Sequence, residues 1–157
     1  QQKLLIQMLI NTVSIGGNLL MNVGPTSRGY LDYRAEAALG AYANWMKYND
    51  RSIYGCTMAE PELLKLCPNG CKFTQSEDGS RLYIHLFEYP FQFLELKGFA
   101  GKVDYAQFLH DGSELLFEEK KISHFSEGRS ETDDLLVIKL PVLKPNVIVP
   151  VIEIMLK

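Results

Sequence analysis

The sequence predicts an α+β chain, with a helix–strand–helix unit in residues 1–55 and an antiparallel β-sandwich in residues 56–157. Three observations carry that expectation. Apolar residues recur at helical spacing in residues 3–14 and 33–48. Between them sits one short apolar run, Leu19-Leu20-Met21, closed by Gly24-Pro25. After Arg51 the pattern changes to short strand-like runs separated by Asn69-Gly70, Asp78-Gly79 and Asp111-Gly112.

In the first helix Leu5, Met8, Leu9 and Val13 form an apolar face that Ile6 and Ile10 widen, and Gly16-Gly17 stops it. Asn18 to Val23 reads as a strand. Its apolar positions are consecutive rather than alternating, which suits a strand covered on both faces. Asp32 is the expected N-cap of the second helix, and Glu36 suits the positive end of its dipole. Leu39, Tyr42, Ala43 and Met46 mark the expected inner stripe, flanked by Ala35, Ala38 and Trp45. Asn49 is expected to end the helix in the left-handed conformation. Seven runs then read as strands, at 72–76, 81–88, 93–97, 103–110, 114–119, 135–140 and 147–156. Their number and spacing suggest a sandwich. The aromatic residues Tyr83, Phe87, Tyr89, Phe91 and Phe93 are expected mainly in its core.

The strand at 18–23 poses a difficulty. A strand must satisfy its ladder N–H and C=O groups, and no second strand lies near it in sequence. The simplest resolution is that residues 1–55 are the last helix–strand–helix of an incomplete (β/α)8-type barrel. The absence of an initiator Met before Gln1 fits a cut at that point.

Composition excludes several roles. With 16 basic and 19 acidic residues the net charge is −3, which makes no electrostatic case for nucleic acid or an anionic membrane. No apolar stretch approaches the roughly 18–20 residues of a membrane span. The three cysteines, Cys56, Cys67 and Cys71, show no scaffold spacing, and free thiols lean towards a reducing compartment. Cys67-Pro-Asn-Gly-Cys71 is CxxxC, which is not the usual zinc spacing, so no metal is expected.

The stretches GGNLLMNVGPTSRG (16–29) and YANWMKYNDRSIYG (42–55) resemble the end of the catalytic barrel in α-L-fucosidases of glycoside hydrolase family 29. Asn18 to Thr26, Trp45 to Asn49 and Ile53 to Gly55 carry the match. SRLYIHLFEYP, Ser80 to Pro90, is similar to a strand of that family's C-terminal sandwich. Two positions depart from the pattern. Asn49-Asp50 stands where the family usually has Asn-Gly, and Arg28 lies in a loop, Thr26 to Gly29, that is commonly T-x-D-G or T-x-x-G in the family, so no role carries over to it. The resemblance implies a fragment of a retaining exo-α-L-fucosidase that acts on fucosylated glycans without a cofactor. Its partners would be that glycan, reached through the missing barrel, and in one arrangement further copies of itself. An Asp nucleophile and a Glu acid/base would both lie in segments before residue 1.

The local carboxylates offer no replacement pair. Glu118-Glu119 and Asp133-Asp134 are adjacent on strands and point to opposite faces, and Glu77-Asp78 falls in a turn. His85 is expected as a packed, hydrogen-bonded strand residue. His110 and His124 lack triad spacing. No catalytic residue is therefore assigned. The candidate substrate-binding residues are Asn22 and Arg28. Asn22, at the carboxyl end of the strand, either caps its own turn or hydrogen-bonds a sugar hydroxyl. Arg28 is either a surface residue or a contact to the aglycone. The sandwich is either a structural module or a carbohydrate-binding one.

Overall fold

A computed structural model describes residues 2–126 and 129–157. Helices α1 (Gln2–Ser14), α2 (Tyr33–Asn49) and the short α3 (Pro61–Leu64) accompany eight strands among these residues. These are β1 (Cys56–Thr57), β2 (Cys71–Ser76), β3 (Arg81–Leu86), β4 (Phe93–Lys97), β5 (Val103–Phe108), β6 (Phe117–Ser126), β7 (Arg129–Lys139) and β8 (Val151–Leu156).

The start of α2 and the end of α1 follow from their sequences. Asp32 Oδ1 accepts from the N–H groups of Arg34 at 2.9 Å and Ala35 at 2.8 Å, which starts α2. At the end of α1, Gly16 adopts φ +80°. Its N–H donates to Val13 O and that of Gly17 to Thr12 O, both at 2.9 Å, the double closure that a left-handed glycine permits. Asn49 does not turn left-handed. Its φ is −125°, and α2 runs on into a 3-10 turn over Asp50–Ser52. The buried Asn49 Nδ2 instead donates back to Trp45 O at 3.0 Å, and the positive φ falls on Gly55. The inner face of α2 keeps half of the expected stripe, since Tyr42 and Met46 pack on the apolar cluster, but it is centred on Trp45. Trp45 and Asn49 are its buried residues, while Leu39 and Ala43 are exposed. Residues 38, 42, 45 and 49 continue one helical face, so Leu39 and Ala43 fall beside it.

Every strand-like run has an observed counterpart, with changed ends. The run at 114–119 starts late and continues to Ser126, and the run at 135–140 begins earlier, at Arg129. The last run loses its first four residues because Val149 (φ +48°) and Pro150 break it before β8. Two antiparallel sheets result, in the orders β1-β2-β3-β8-β5 and β4-β7-β6. The Asp78-Gly79 turn closes the β2–β3 hairpin as expected. Asp111-Gly112 closes a shorter return, held by Phe108 N–H on Ser113 O at 2.9 Å, before the chain crosses to the other sheet. Asn69-Gly70 is not a hairpin turn. It leads into β2, and Gly70 O accepts from Phe87 and Glu88 N–H at 2.9 and 3.0 Å. Gly70 has φ +76°, and an added Cβ would lie 3.1 Å from Glu88 Cβ. We expect Gly70→Ala to cost about 1–2 kcal/mol in urea unfolding, from the left-handed conformation alone. An unchanged midpoint would show that this turn is not held as described.

Strand alternation sorts the core. Leu82, Ile84 and Leu86 of β3 and Ile152 and Ile154 of β8 face the second sheet, where they meet Leu94, Leu96, Leu136 and Ile138. Phe73 and Phe99 add an edge-to-face pair at 6.0 Å. The opposite face of the larger sheet is buried too. Tyr83, Val149 and Val151 pack with Ile6, Ile10 and Val13 of α1 and Trp45 of α2. The five-stranded sheet therefore lies between the helices and the three-stranded sheet, with its central strands apolar on both faces. Tyr42 Oη donates to Leu5 O at 2.6 Å and joins α2 to α1.

Candidate functional site

The sequence singles out the segment between α1 and α2, and the structure shows how it is held. Residues 17–26 form no strand, and none of the described strands pairs with them. The expected strand at 18–23 is absent for a physical reason. A ladder needs a hydrogen-bonding neighbour, and none of the described strands supplies one. Its burial alternates: Leu19, Met21 and Val23 are half-buried, while Asn18, Leu20 and Asn22 are exposed. That period of two belongs to an extended chain resting one face on the protein.

The turn beyond it is built by Thr26. Its N–H donates to Tyr30 O at 2.7 Å, and its carbonyl accepts from Gly29 N–H at 2.9 Å. Thr26 Oγ1 also accepts from Tyr30 N–H at 3.3 Å. Asn22 does not cap this turn. Its side chain is exposed, as is that of Arg28 at the tip. Asn22 lies within the extended segment and Arg28 in the turn that follows it.

Four of the six carboxylates singled out in the sequence are engaged on the surface. Asp78 Oδ1 accepts from Ser76 Oγ at 2.6 Å and from Ser80 N–H and Oγ at 3.0 and 2.8 Å. These bonds, the Ser76 hydroxyl first, hold its carboxyl down at about 2. Glu118 pairs with Lys139, and Glu119 Oε1 accepts from Gly101 N–H at 2.7 Å. Asp133 pairs with Lys97. The three thiols are free, and burial pushes Cys56 and Cys67 up to about 11 and Cys71 to about 12. They are protonated at neutral pH and make poor nucleophiles.

His85 is fully buried on β3, as a packed residue should be. Thr74 Oγ1 donates its one proton to Ser52 O at 2.7 Å, so the 3.0 Å contact with His85 Nε2 is an N–H donated by the imidazole. His85 Nδ1 then carries a lone pair and pairs with nothing. Burial pushes this imidazole down to about 3. An unfolded histidine titrates near about 6.5. Between those values the unfolded chain holds the extra proton, so stability is intact above the upper value and falls as pH falls, by about 1.4 kcal/mol per pH unit. We expect His85→Gln to flatten the slope of unfolding free energy between about pH 5 and 6.5, above the carboxylate range. A slope equal to that of the parent chain would contradict this assignment. His110 sits beside Asp111, with Nε2 at 3.5 Å from Oδ2. The His124 side chain lies outside the described residues.

Sequence reasoning missed one group of residues. Glu153 of β8 is fully buried, yet it faces Arg51 and Arg81 at 3.4 and 3.2 Å and accepts from Gln107 Nε2 at 2.7 Å. Tyr83 also bonds it. The only hint in the sequence is an acidic residue inside the apolar run VIEIML.

Comparison with known proteins gives a consistent result. A family model described as α-L-fucosidase matches residues 1–51. The plasma α-L-fucosidase of Homo sapiens is 46% identical over 50 residues, which are 32% of this chain and 11% of that protein. The α-L-fucosidase of Dictyostelium discoideum is 31% identical over 86 residues, 55% of this chain and 18% of that one. Among solved structures, α-L-fucosidase isoenzyme 1 from Paenibacillus thiaminolyticus matches 100% of this chain and 35% of its own, with TM-score 0.82 and 28% identity. A GH29 α-L-fucosidase from Bacteroides thetaiotaomicron shares the fold over 100% of this chain and 32% of its own, with TM-score 0.76 and 21% identity. The chain thus spans about a third of the length of these solved structures.

Proposed function

We propose that this chain, a fragment of a family 29 α-L-fucosidase, closes a (β/α)8-type catalytic barrel with residues 1–55 and carries a C-terminal β-sandwich in residues 56–157. The parent enzyme is a retaining exo-α-L-fucosidase that releases terminal α-L-fucose from glycans. An Asp attacks the anomeric carbon while a Glu carboxyl protonates the leaving oxygen. Water then cleaves the glycosyl-enzyme with that Glu as base. Both carboxylates belong to barrel strands outside this chain, so the chain alone is inactive.

One observation supports this reading above the others. The extended segment at 17–26 has no ladder partner among the described strands, and exposed apolar side chains lie in it and at both its ends. Ile15 just before it is 74% exposed, Leu20 within it 88% and Tyr30 just after it 71%. Exposed apolar side chains along a backbone segment without ladder partners suit a surface that is covered in the whole protein. Barrel strands on either side of 18–23 cover it and supply the missing ladder.

In that arrangement Asn22 stands at the carboxyl end of a barrel strand, the end that faces substrate in this architecture. Its amide can donate to one sugar hydroxyl and accept from another. Arg28, at the tip of the following turn, reaches towards the aglycone. The test is a chimera in which this chain replaces the matching segment of the Paenibacillus thiaminolyticus enzyme. We expect Asn22→Ala to lower kcat/KM for an aryl α-L-fucoside by about tenfold, the value of one hydrogen bond. Arg28→Ala should act on extended glycans and spare the aryl substrate. Unaltered kinetics on both substrate types would remove these two residues from the site.

Residues 56–157 have a structural role in this reading. Their support is the apolar cluster in which Ile6, Ile10 and Trp45 pack on Tyr83, Val149 and Val151. It ties the helices to the larger sheet.

A further inference from the structure

We infer that Cys67 and Cys71 form a redox pair, which a low-molecular-weight disulfide oxidises to a reversible bridge between the end of α3 and the start of β2. This role is independent of fucosidase activity.

The backbone brings the two residues together. Cys67 follows α3, and its N–H donates to Leu64 O at 3.2 Å. Cys71 opens β2, and its N–H donates to Pro68 O, also at 3.2 Å. The turn between them, with Gly70 at φ +76°, folds the chain back. Cys67 Sγ lies 3.5 Å from the carbonyl oxygen of Cys71. Both side chains meet the same apolar cluster between the sheets, Cys71 within it and Cys67 packed against it. A disulfide asks for Cα atoms about 4.4–6.8 Å apart, a span that a chain reversed by a single β-turn provides. Cys56 is kept away from the pair. Its Sγ donates to Arg51 O at 3.1 Å, and it packs with the helix-side cluster on the other face of the larger sheet.

An oxidant can reach the pair. Cys67 and Cys71 line a cavity of about 650 Å³, together with Lys3, Gln7, Asn69 and Lys72. That volume is within the range of small-molecule sites. Cys67 is half-buried and Cys71 is 8% exposed, so Cys67 reacts first. Its thiol gives a proton to water and attacks one sulfur of the small disulfide, whose other half leaves as a thiol. Cys71 then gives up its proton and attacks Cys67 Sγ, which expels the second small thiol. Two protein thiols are oxidised by two electrons, and one disulfide is reduced to two thiols. Burial keeps both cysteines protonated at neutral pH, which makes the exchange slow there, and Lys72 eases the ionisation of Cys67. The bridge closes a turn whose Gly70 O already accepts from Phe87 and Glu88 N–H, so it tightens the junction of α3 with the larger sheet.

The test exposes the 157-residue chain to glutathione disulfide and counts free thiols after denaturation. Two of the three thiols should disappear, and dithiothreitol should restore them. Lys65 and Lys72 flank the pair, so trypsin releases both cysteines in one peptide, 66–72. That peptide should be lighter by the mass of two hydrogen atoms. The rate should rise about tenfold per pH unit between about pH 7 and pH 9, following the thiolate. The oxidised chain should melt at a higher temperature than the reduced one. Cys56→Ser should leave the bridge intact, whereas Cys67→Ser should leave Cys71 titratable. The pair would be overturned by three thiols that stay titratable at pH 9, by a glutathione adduct that persists on Cys67, or by bridges that join Cys56 or separate chains at equal yield.

Discussion

The 157-residue chain by itself is expected to release no detectable aglycone from an aryl α-L-fucoside. The reaction in a retaining enzyme needs two carboxyl groups about 5–5.5 Å apart, one ionised and one protonated. In this chain Asp78 is locked to Ser76 and Ser80 at a hairpin tip. Glu118 and Glu119 are adjacent residues of β6, so they address opposite faces and bind different partners, Lys139 and Gly101. Glu153 is fully buried beneath two arginines and out of reach of a sugar. If nucleophile and acid both lie outside this chain, as proposed, it forfeits the greater part of a rate enhancement that spans at least about 10⁶-fold in enzymes. The chimera described above, which restores the barrel, should regain turnover. Burst kinetics from the isolated chain would show that its own carboxylates form a working pair.

The largest loss of stability is expected from removing both partners of Glu153. Arg51 follows α2 and Arg81 opens β3, so the buried carboxylate fastens the chain leaving the helices to the middle of the larger sheet. The arginine side chains are partly exposed, at 55% and 38%, whereas that of Glu153 is 0% exposed. The asymmetry decides which substitution hurts. Arg51→Ala with Arg81→Ala leaves the buried carboxylate with only the neutral donors Gln107 and Tyr83 and no opposing charge, which costs about 3–5 kcal/mol. Glu153→Gln leaves only arginines that can turn to water, and it should cost less. Urea unfolding followed by the fluorescence of Trp45, the only tryptophan, measures both. The ordering is the diagnostic. A Glu153→Gln chain less stable than the double arginine variant would contradict a buried, ionised Glu153.

The helices and most of the strands were legible because their signals are local. Apolar spacing, the Asp32 cap and Gly16 act within a few residues of where they sit. The face of α2 is legible only in part, at Tyr42 and Met46, because Leu39 and Ala43 are as apolar as the residues turned inward. What they meet is decided by the sheet rather than by α2. Asn49 was misassigned for a similar reason. Its amide is drawn into the buried layer under Trp45, and Gly55 makes the reversal. The Glu153 network was not legible at all, since Arg51 lies 102 positions away and Gln107 lies 46 away. The segment at 18–23 is the opposite case. Its composition signals a strand clearly, but a ladder needs neighbours that this chain does not bring to it. Asn22 and Arg28 were found from that same segment, and their exposure follows from its lack of cover.

Amide hydrogen exchange at Asn18 to Val23 tests the proposed barrel closure most directly. In the isolated chain these amides have no ladder partner and should exchange at close to the open-chain rate. In the chimera that supplies the remaining barrel they should become protected together, as a strand hydrogen-bonded on both sides. Equal exchange in the two proteins, or protection already present in the isolated chain, would contradict the claim that this segment is a barrel strand waiting for its neighbours.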